Sequence, residues 1–472
     1  MVRGVGLLPA LVWGVLAGFW RPRGPIFPID AVAILLISVA VGVFAGRFTR
    51  ARWSIFLAPV LFAVAGEITR VGFTGPTVDY PRPTSLGLLA LIVGRGLYML
   101  LALLPMAVGA AYGAGWARRR SVRSRSVGAA IGRGIGRFVA VVLAAVVLVT
   151  GAVVAVPGRV TAIPGGISEL AWAGKLGLMI RGARADAPVL LFVPGAPGGS
   201  ELAAMRQRLA ALEQTFVVVT MDRRGGGRSF GDLDPTPTFT VDDERRNVLE
   251  VTDYLRSRFR RDKIYLVAHS GGTIGATLAV QDSPELFAAY VGVGQVANPT
   301  ASDRTQYDDM LARARSAGDT ALVKRLTEVG KPPYANIYGY EPMILNEDAV
   351  YGSDNGDTLL ANAKAPELGV LDKIHVIAGF LDSFDAYYPR VRDVDFRTQV
   401  PTLAVPVYFV AGDREVPARV RDLNLWFAVL QAPHKEIVTL ANAGHRSMFD
   451  QPAEFVTVLK RVLADNPASR TP

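Results

Sequence analysis

The chain has 472 residues, half of them hydrophobic, no cysteine and a formal charge of +10. The apolar fraction excludes a disordered or collagen-like chain. Zero Cys excludes thiolate catalysis, Cys-ligated zinc and any disulfide framework.

The charge is confined to one end. Residues 1–157 hold 16 Arg and no Lys against Asp30, Glu67 and Asp79, whereas the remainder holds 35 basic and 38 acidic residues. The basic third is also the apolar third, so a bilayer is the expected partner and nucleic acid is not. A spanning helix needs about 20 mostly apolar residues. Five stretches approach that: Leu7–Trp20, Ala31–Gly46, Trp53–Ile68, Ser85–Trp116 and Phe138–Val156. Every face of each is apolar, unlike a soluble core helix. Short loops rich in Arg face the cytoplasm. Arg118–Arg137 carries seven Arg, and Arg47, Arg50 and Arg52 mark the loop two stretches earlier. Five spans then place the N-terminus inside and the chain after Val156 outside, with Arg21 and Arg23 on the less expected outer side. Glu67 ends the third stretch and Arg95 interrupts the fourth; both are read as charges near an interface rather than as an intramembrane pair.

Past Pro157 the hydropathy falls. A domain boundary is expected there: 1–157 as an all-α transmembrane domain of about five helices, 158–167 as a linker, 168–472 as an α/β domain. Leu176–Arg181 and Pro188–Val193 read as a hairpin or as neighbouring strands. Phe216–Thr220 reads as a strand, Val241–Phe259 as a helix, Lys263–Ala268 as a strand and Thr273–Val280 as a helix. Such alternation predicts a mostly parallel sheet flanked by helices.

The informative segment is Ile264-Tyr-Leu-Val-Ala-His-Ser-Gly-Gly-Thr273. A strand runs through Ala268-His269-Ser270-Gly271-Gly272 into a helix, the nucleophile-elbow pattern with Ala in place of its first Gly. Ser270 is the candidate nucleophile. A serine needs a base, and the chain has four His. His269 lies inside the elbow and reads as a packed neighbour. His375 and His434 read as lid or surface residues. His445 sits in a loop between strand Glu436–Leu440 and helix Ala453–Leu463, where an α/β sheet places its site. The acid belongs between Ser and His in sequence. Strand Pro406–Val410 opens into Ala411-Gly-Asp-Arg-Glu-Val-Pro417, and Asp413 and Glu415 both qualify. Gly271 N–H supplies one oxyanion donor. The loop Pro194-Gly-Ala-Pro-Gly-Gly-Ser200 supplies the second, from Ala196 or, next, Gly195, because Pro has no N–H. That loop lacks the G-K-[ST] of a phosphate loop. Asp222-Arg-Arg-Gly-Gly-Gly-Arg-Ser229 lacks the aromatics of an RNA-binding segment. No metal and no organic cofactor are expected.

From about Gly166 to Asn466 these segments resemble the α/β-hydrolase superfamily, in its proline iminopeptidase-like branch. The similarity rests on Pro194–Ser200 for the branch's oxyanion loop, Asp222–Ser229 for its Asp-x-Arg-Gly-x-Gly-x-Ser turn and Ala268–Gly272 for its elbow. Tyr290-Val-Gly-Val-Gly-Gln295 and Lys331-Pro-Pro-Tyr334 are similar to segments of some members. The resemblance implies an α/β-hydrolase fold with a helical lid at about 297–398. It favours Glu415 as the acid, counted from Gly412, with Asp413 as the alternative. It implies lid carboxylates, among Glu328, Glu341 and Asp382, that hold a substrate's free amine. Pro194 replaces the branch's oxyanion His, Gly271 the Trp often found after the nucleophile, and Ala268 the elbow's first Gly, which loosens the implied peptidase specificity. The expected function is a membrane-anchored serine hydrolase, aminopeptidase-like or esterase-like. The alternatives are a silent hydrolase-fold sensor coupled to the membrane helices and a transporter module with a fused hydrolase.

Overall fold

The structure is a computed structural model that describes residues 5–118, 127–195, 199–233, 239–352 and 358–467. The chain divides into two compact units, Met1–Pro157 with Gly369–Leu371, and Gly158–Leu368 with Asp372–Pro472.

The first unit contains helices Leu8–Trp20, Pro28–Thr49, Ser54–Arg70 and Val127–Ala155, and a continuous helical run Ser85–Arg118 with a π-helical turn at Ile92–Gly96. Among the described residues three helices are long and apolar enough to cross a membrane: Pro28–Thr49, Ser85–Arg118 and Gly134–Ala155. Leu8–Trp20 has 13 residues and Ser54–Arg70 has 17, so helix length does not carry the expected count of five. Apolar side chains such as Leu36, Phe56, Ile68, Leu100 and Leu148 point outward, a larger exposed apolar surface than a soluble monomer shows. Pro28–Thr49 packs on Ser85–Arg118 through two G-x-x-x-G pairs. A methyl group on Gly42 or Gly46 would overlap the Met106 or Ala110 carbonyl, and one on Gly109 or Gly113 the Val39 or Val43 carbonyl. Small residues at this spacing let helix backbones touch.

Several charges of this unit are met by nearby partners. Arg21 pairs with Asp30 at 2.9 Å, and Arg23 donates to the Thr74 carbonyl at 2.5 Å. Glu67 and Arg95, read from sequence as separate interfacial charges, form an ion pair of 3.0 Å, and Arg95 also donates to the carbonyls of Val78 and Asp79.

The second unit is built on an eight-stranded mixed sheet: β1 (Ile167–Ala173), β2 (Leu176–Gly182), β3 (Val189–Val193), β4 (Val217–Met221), β5 (Ile264–His269), β6 (Phe287–Val293), β7 (Val407–Gly412) and β8 (Lys435–Leu440). The order is β1-β2-β4-β3-β5-β6-β7-β8, with β1, β2 and β4 joined antiparallel and the rest parallel. The expected adjacency of Leu176–Arg181 and Pro188–Val193 is therefore corrected. β1 supplies the hairpin partner of β2, and β4 inserts between β2 and β3. Side chains on alternate positions face opposite sides: Leu191, Val193, Leu266 and Phe409 join one core, Leu190, Phe192, Val267 and Val410 the other. Covered on both faces, β3, β6 and β7 read as unbroken apolar runs. Between β6 and β7 the chain inserts helices, among them Pro299–Ser316, Thr320–Val329, Ile337–Ile344, Glu347–Tyr351 and Val370–Tyr387. The carboxyl ends of β5, β7 and β8 open on one edge of the sheet, where such folds place a site.

Candidate active site

Ser270 follows β5 directly and has φ +50, a left-handed conformation that non-glycine residues seldom adopt. The strain is held by its surroundings. The Ser270 N–H donates to the Val293 carbonyl at 2.8 Å, and the Thr273 hydroxyl donates to the Ser270 carbonyl at 2.5 Å. Helix Gly272–Asp282 starts at once, and a methyl group on Gly272 would overlap the Pro194 carbonyl. Only glycine lets this helix lie so close to the end of β3. Ala268, at the elbow's first position, is fully buried.

His445 lies in the loop after β8. Its Nε2 is 2.7 Å from the Ser270 hydroxyl, and its Nδ1 is 2.6 Å from Glu415 Oε2. Three residues from three strand ends thus meet in one line. Burial pushes the Glu415 carboxyl up, but His445, Arg419 and the Val416 N–H outweigh it and hold it at about 2. Asp413 is not part of this line. Its side chain is exposed and accepts from the Ala443 N–H at 3.1 Å. The N–H groups of Asn442 and Ala443 draw its carboxyl below the ordinary range.

Of the expected oxyanion donors, Gly271 stands at the head of helix Gly272–Asp282, and its N–H has no acceptor among the described residues. The helix dipole adds positive potential there. Gly195 N–H is already engaged, donating to Glu201 Oε2 at 3.2 Å. Ala196 lies outside the described residues.

Glu201 has no forecast from the sequence, although it follows the Gly-rich loop directly. It is buried and joins three pieces of the site: Gly195 of the loop, His269 of the elbow, whose Nδ1 is 3.2 Å from Oε1, and Arg446, which donates to Oε1 at 3.1 Å. Burial raises the Glu201 carboxyl, and His269, Arg446 and the Gly195 N–H bring it down to about 2. Burial also lowers the pKa of His269 despite Glu201 beside it, and its contact with Glu201 is off line for a hydrogen bond. Arg446 and the Gly195 N–H are therefore the standing partners of Glu201. His269 is the packed neighbour expected, with Nε2 3.3 Å from the His445 carbonyl.

His375 is buried on helix Val370–Tyr387 and stacks on Phe230 at 4.4 Å. His434 is half exposed near Glu436. The Tyr290 hydroxyl donates to Gln295 at 2.7 Å beneath the elbow helix, and Tyr334 packs edge-on against Tyr340. Of the lid carboxylates, Glu328 is exposed beside Lys324, Glu341 lies on helix Ile337–Ile344, and Asp382 is buried on helix Val370–Tyr387. The helical insertion instead brings Glu347 to the site through Arg419, which contacts Glu415 at 3.3 Å.

A family model described as "Alpha/beta hydrolase family" matches residues 190–458. The chain belongs to that family. It is 28% identical over 294 residues to a probable aminopeptidase, YbaC, of Bacillus subtilis (strain 168), covering 60% of this chain and 91% of that protein. It is 32% identical over 141 residues to a putative carbamate hydrolase, RutD, of Variovorax paradoxus (strain S110), covering 30% of this chain and 50% of that one. Among solved structures, a proline iminopeptidase-related protein of Thermus thermophilus is similar, with a TM-score of 0.46, 21% identity and coverage of 64% of this chain and 98% of that one.

Proposed function

We propose that the protein is a membrane-anchored serine hydrolase in which Ser270, His445 and Glu415 form the catalytic triad. The hydrogen bonds of 2.7 Å and 2.6 Å that link the three side chains carry this reading. Ser270 Oγ attacks the carbonyl of an ester or amide while His445 Nε2 takes its proton. Glu415 orients the imidazole and balances the imidazolium that forms. The Gly271 N–H and, by its place in the chain, the Ala196 N–H receive the oxyanion. His445 returns the proton to the leaving group, and water, activated the same way, releases the acyl group. The apolar outer surface of the helices in residues 1–157 anchors the enzyme in a bilayer, with the hydrolase domain from about residue 168 outside the cytoplasm. The substrates are small esters or amides, among them peptides with a free N-terminus and lipid esters. The similarity to a probable aminopeptidase favours testing N-terminal peptide bonds first.

The test is labelling of the full chain in detergent with a fluorophosphonate probe, beside turnover of aminoacyl-arylamides and of short and long acyl esters. Wild type should label and Ser270→Ala should not. Absence of labelling and of turnover in wild type would overturn the enzyme reading in favour of a silent hydrolase-fold domain.

A further inference from the structure

The triad acid is not the last member of its chain of charges. Arg419, four residues after Glu415 on helix Pro417–Val429, donates from Nη1 to Glu415 Oε1 at 3.3 Å and to Glu347 Oε1 at 2.8 Å, and from Nη2 to Glu347 Oε2 at 2.7 Å. Glu347 belongs to the helical insertion between β6 and β7, and Gln306 of helix Pro299–Ser316 donates to its Oε2 at 2.7 Å. Both Glu347 oxygens are thus taken up inside the protein.

We propose that Arg419 is a positioning residue for Glu415, and that Glu347 supplies the counter-charge that balances the site when His445 carries its catalytic proton. The inference rests on the reading of Ser270, His445 and Glu415 as a triad. The charge count makes the case. Arg419 and Glu415 alone sum to zero, so an imidazolium beside them would leave one uncompensated positive charge in a largely buried place. With Glu347 the three sum to minus one, and the imidazolium brings the total to zero. An unbalanced buried charge is costly, so the balance favours the state in which proton transfer has occurred. Burial opposes the charges on Glu347 and Arg419, and their mutual attraction outweighs it, lowering the pKa of the carboxyl and raising that of the guanidinium. Since Glu347 comes from the insertion, the balance holds only while that segment is seated over the sheet edge.

Other charges face the group. His269 is 5.2 Å from His445 ring to ring, backed by Glu201 and Arg446. Asp303 and the Tyr388 hydroxyl lie on the Arg419 side, 3.0 Å from each other. Burial pushes the Asp303 carboxyl up to about 7, so it adds no charge to the count below that pH; all of these groups are unchanged in the test, and their own titration is common to every variant.

The experiment is the pH dependence of kcat/KM for p-nitrophenyl butyrate, from roughly pH 5 to 9, with the full chain in detergent. It compares wild type, Glu347→Gln, Arg419→Met, Arg419→Lys and the double variant Glu347→Gln/Arg419→Met. Glu347→Gln removes a negative charge that stabilises the imidazolium, so the acid limb should move to lower pH by about half a unit to one unit. Arg419→Met removes a positive charge, so its limb should move to higher pH. It should also lose about tenfold or more in kcat, and Arg419→Lys should recover part of that loss. The double variant should bring the limb back to within about 0.3 unit of wild type, because the lost charges cancel. A structural role alone lowers rates without shifts of opposite sign. Limbs that stay in place, or move the same way in both single variants, would overturn the proposal while fluorophosphonate labelling of Ser270 left the triad reading standing. A wild type that neither labels nor turns over would remove the triad reading, and this proposal with it. If Arg419→Met does not fold by thermal melting, the direction of the Glu347→Gln shift decides alone.

Discussion

Glu415 Oε2 and His445 Nδ1 lie 2.6 Å apart, and Glu415 reaches this point from a turn in which its own N–H donates back to Gly412 at 3.2 Å. The turn lifts the longer Glu side chain behind the imidazole and directs Asp413 toward the backbone of the His445 loop. The two carboxylates therefore differ in place, and it is Glu415 that reaches the imidazole. Glu415→Gln should lower kcat by about a hundredfold to ten-thousandfold, because the imidazolium loses its partner and the wrong tautomer is favoured. Asp413→Asn should keep kcat within about threefold, since an amide oxygen still accepts from Ala443. Steady-state turnover of an aryl ester by the two variants checks this. A larger loss in Asp413→Asn than in Glu415→Gln would return the choice of acid to Asp413.

Ser270 and His445, which the structure brings within 2.7 Å of each other, were legible as candidates because each stands in a local pattern: a strand, a small-residue turn and a helix around Ser270, and a strand-end loop at His445. Spacing could not choose the acid, because Asp413 and Glu415 share one turn and differ in where their side chains point. Arg419 carries a weak local trace, being one helical turn beyond Glu415. Glu347 carries none, since its contact with Arg419 spans 72 residues of chain. Strand order has the same difficulty. β3 precedes β4 in sequence, but β4 lies between β2 and β3 in space, and no local periodicity records such a crossover. Helix length limits what composition alone can say about Leu8–Trp20 and Ser54–Arg70.

Glu201 offers a second check on the architecture of the site. Its two oxygens accept from the Gly195 N–H and from Arg446, so it ties the start of the Gly-rich loop to the residue after His445. Glu201→Gln keeps one acceptor but loses the charge that holds Arg446. The loop should then loosen, and kcat should fall by about tenfold to a hundredfold with KM changed less than threefold. Glu201→Asp, one methylene shorter, should fall between. A selective rise in KM would instead place Glu201 in substrate binding. The comparison needs kcat and KM measured separately on the same ester.

Asp303 predicts a pH dependence of stability. Burial pushes its carboxyl up to about 7, although the Tyr388 hydroxyl donates to both oxygens at 3.0 Å. The folded-state value lies above that of the unfolded chain. The stabilising contribution is therefore full below about pH 4 and is lost as pH rises through about 7. An amide mimics the neutral acid, so Asp303→Asn should remove this slope. The variant should gain on wild type between about pH 5 and 8, by at most about 4 kcal/mol. Thermal melting of both proteins in detergent at the two pH values measures the difference. Parallel behaviour would mean that Asp303 is ionised in the fold. Asp222, also pushed by burial to about 7, leaves a residual slope of the same sign in both proteins.

The absence of cysteine makes the membrane arrangement directly measurable. Any introduced Cys is the sole thiol in the chain, so a membrane-impermeant maleimide reports one position at a time. Ala185 is exposed in the turn between β2 and β3, and Ser121 lies in the Arg-rich segment after the fourth apolar stretch. With Arg-rich loops retained in the cytoplasm, Ala185→Cys should label in intact spheroplasts and Ser121→Cys only after permeabilisation. The protein should also stay in the membrane fraction through a high-salt wash and leave it only with detergent, because apolar contact with lipid is not screened by salt. Labelling of both positions without permeabilisation would mean an even number of spans between them. The reverse pattern, with Ser121→Cys reactive in intact spheroplasts and Ala185→Cys protected, would place the hydrolase on the cytoplasmic side and confine its substrates to that compartment.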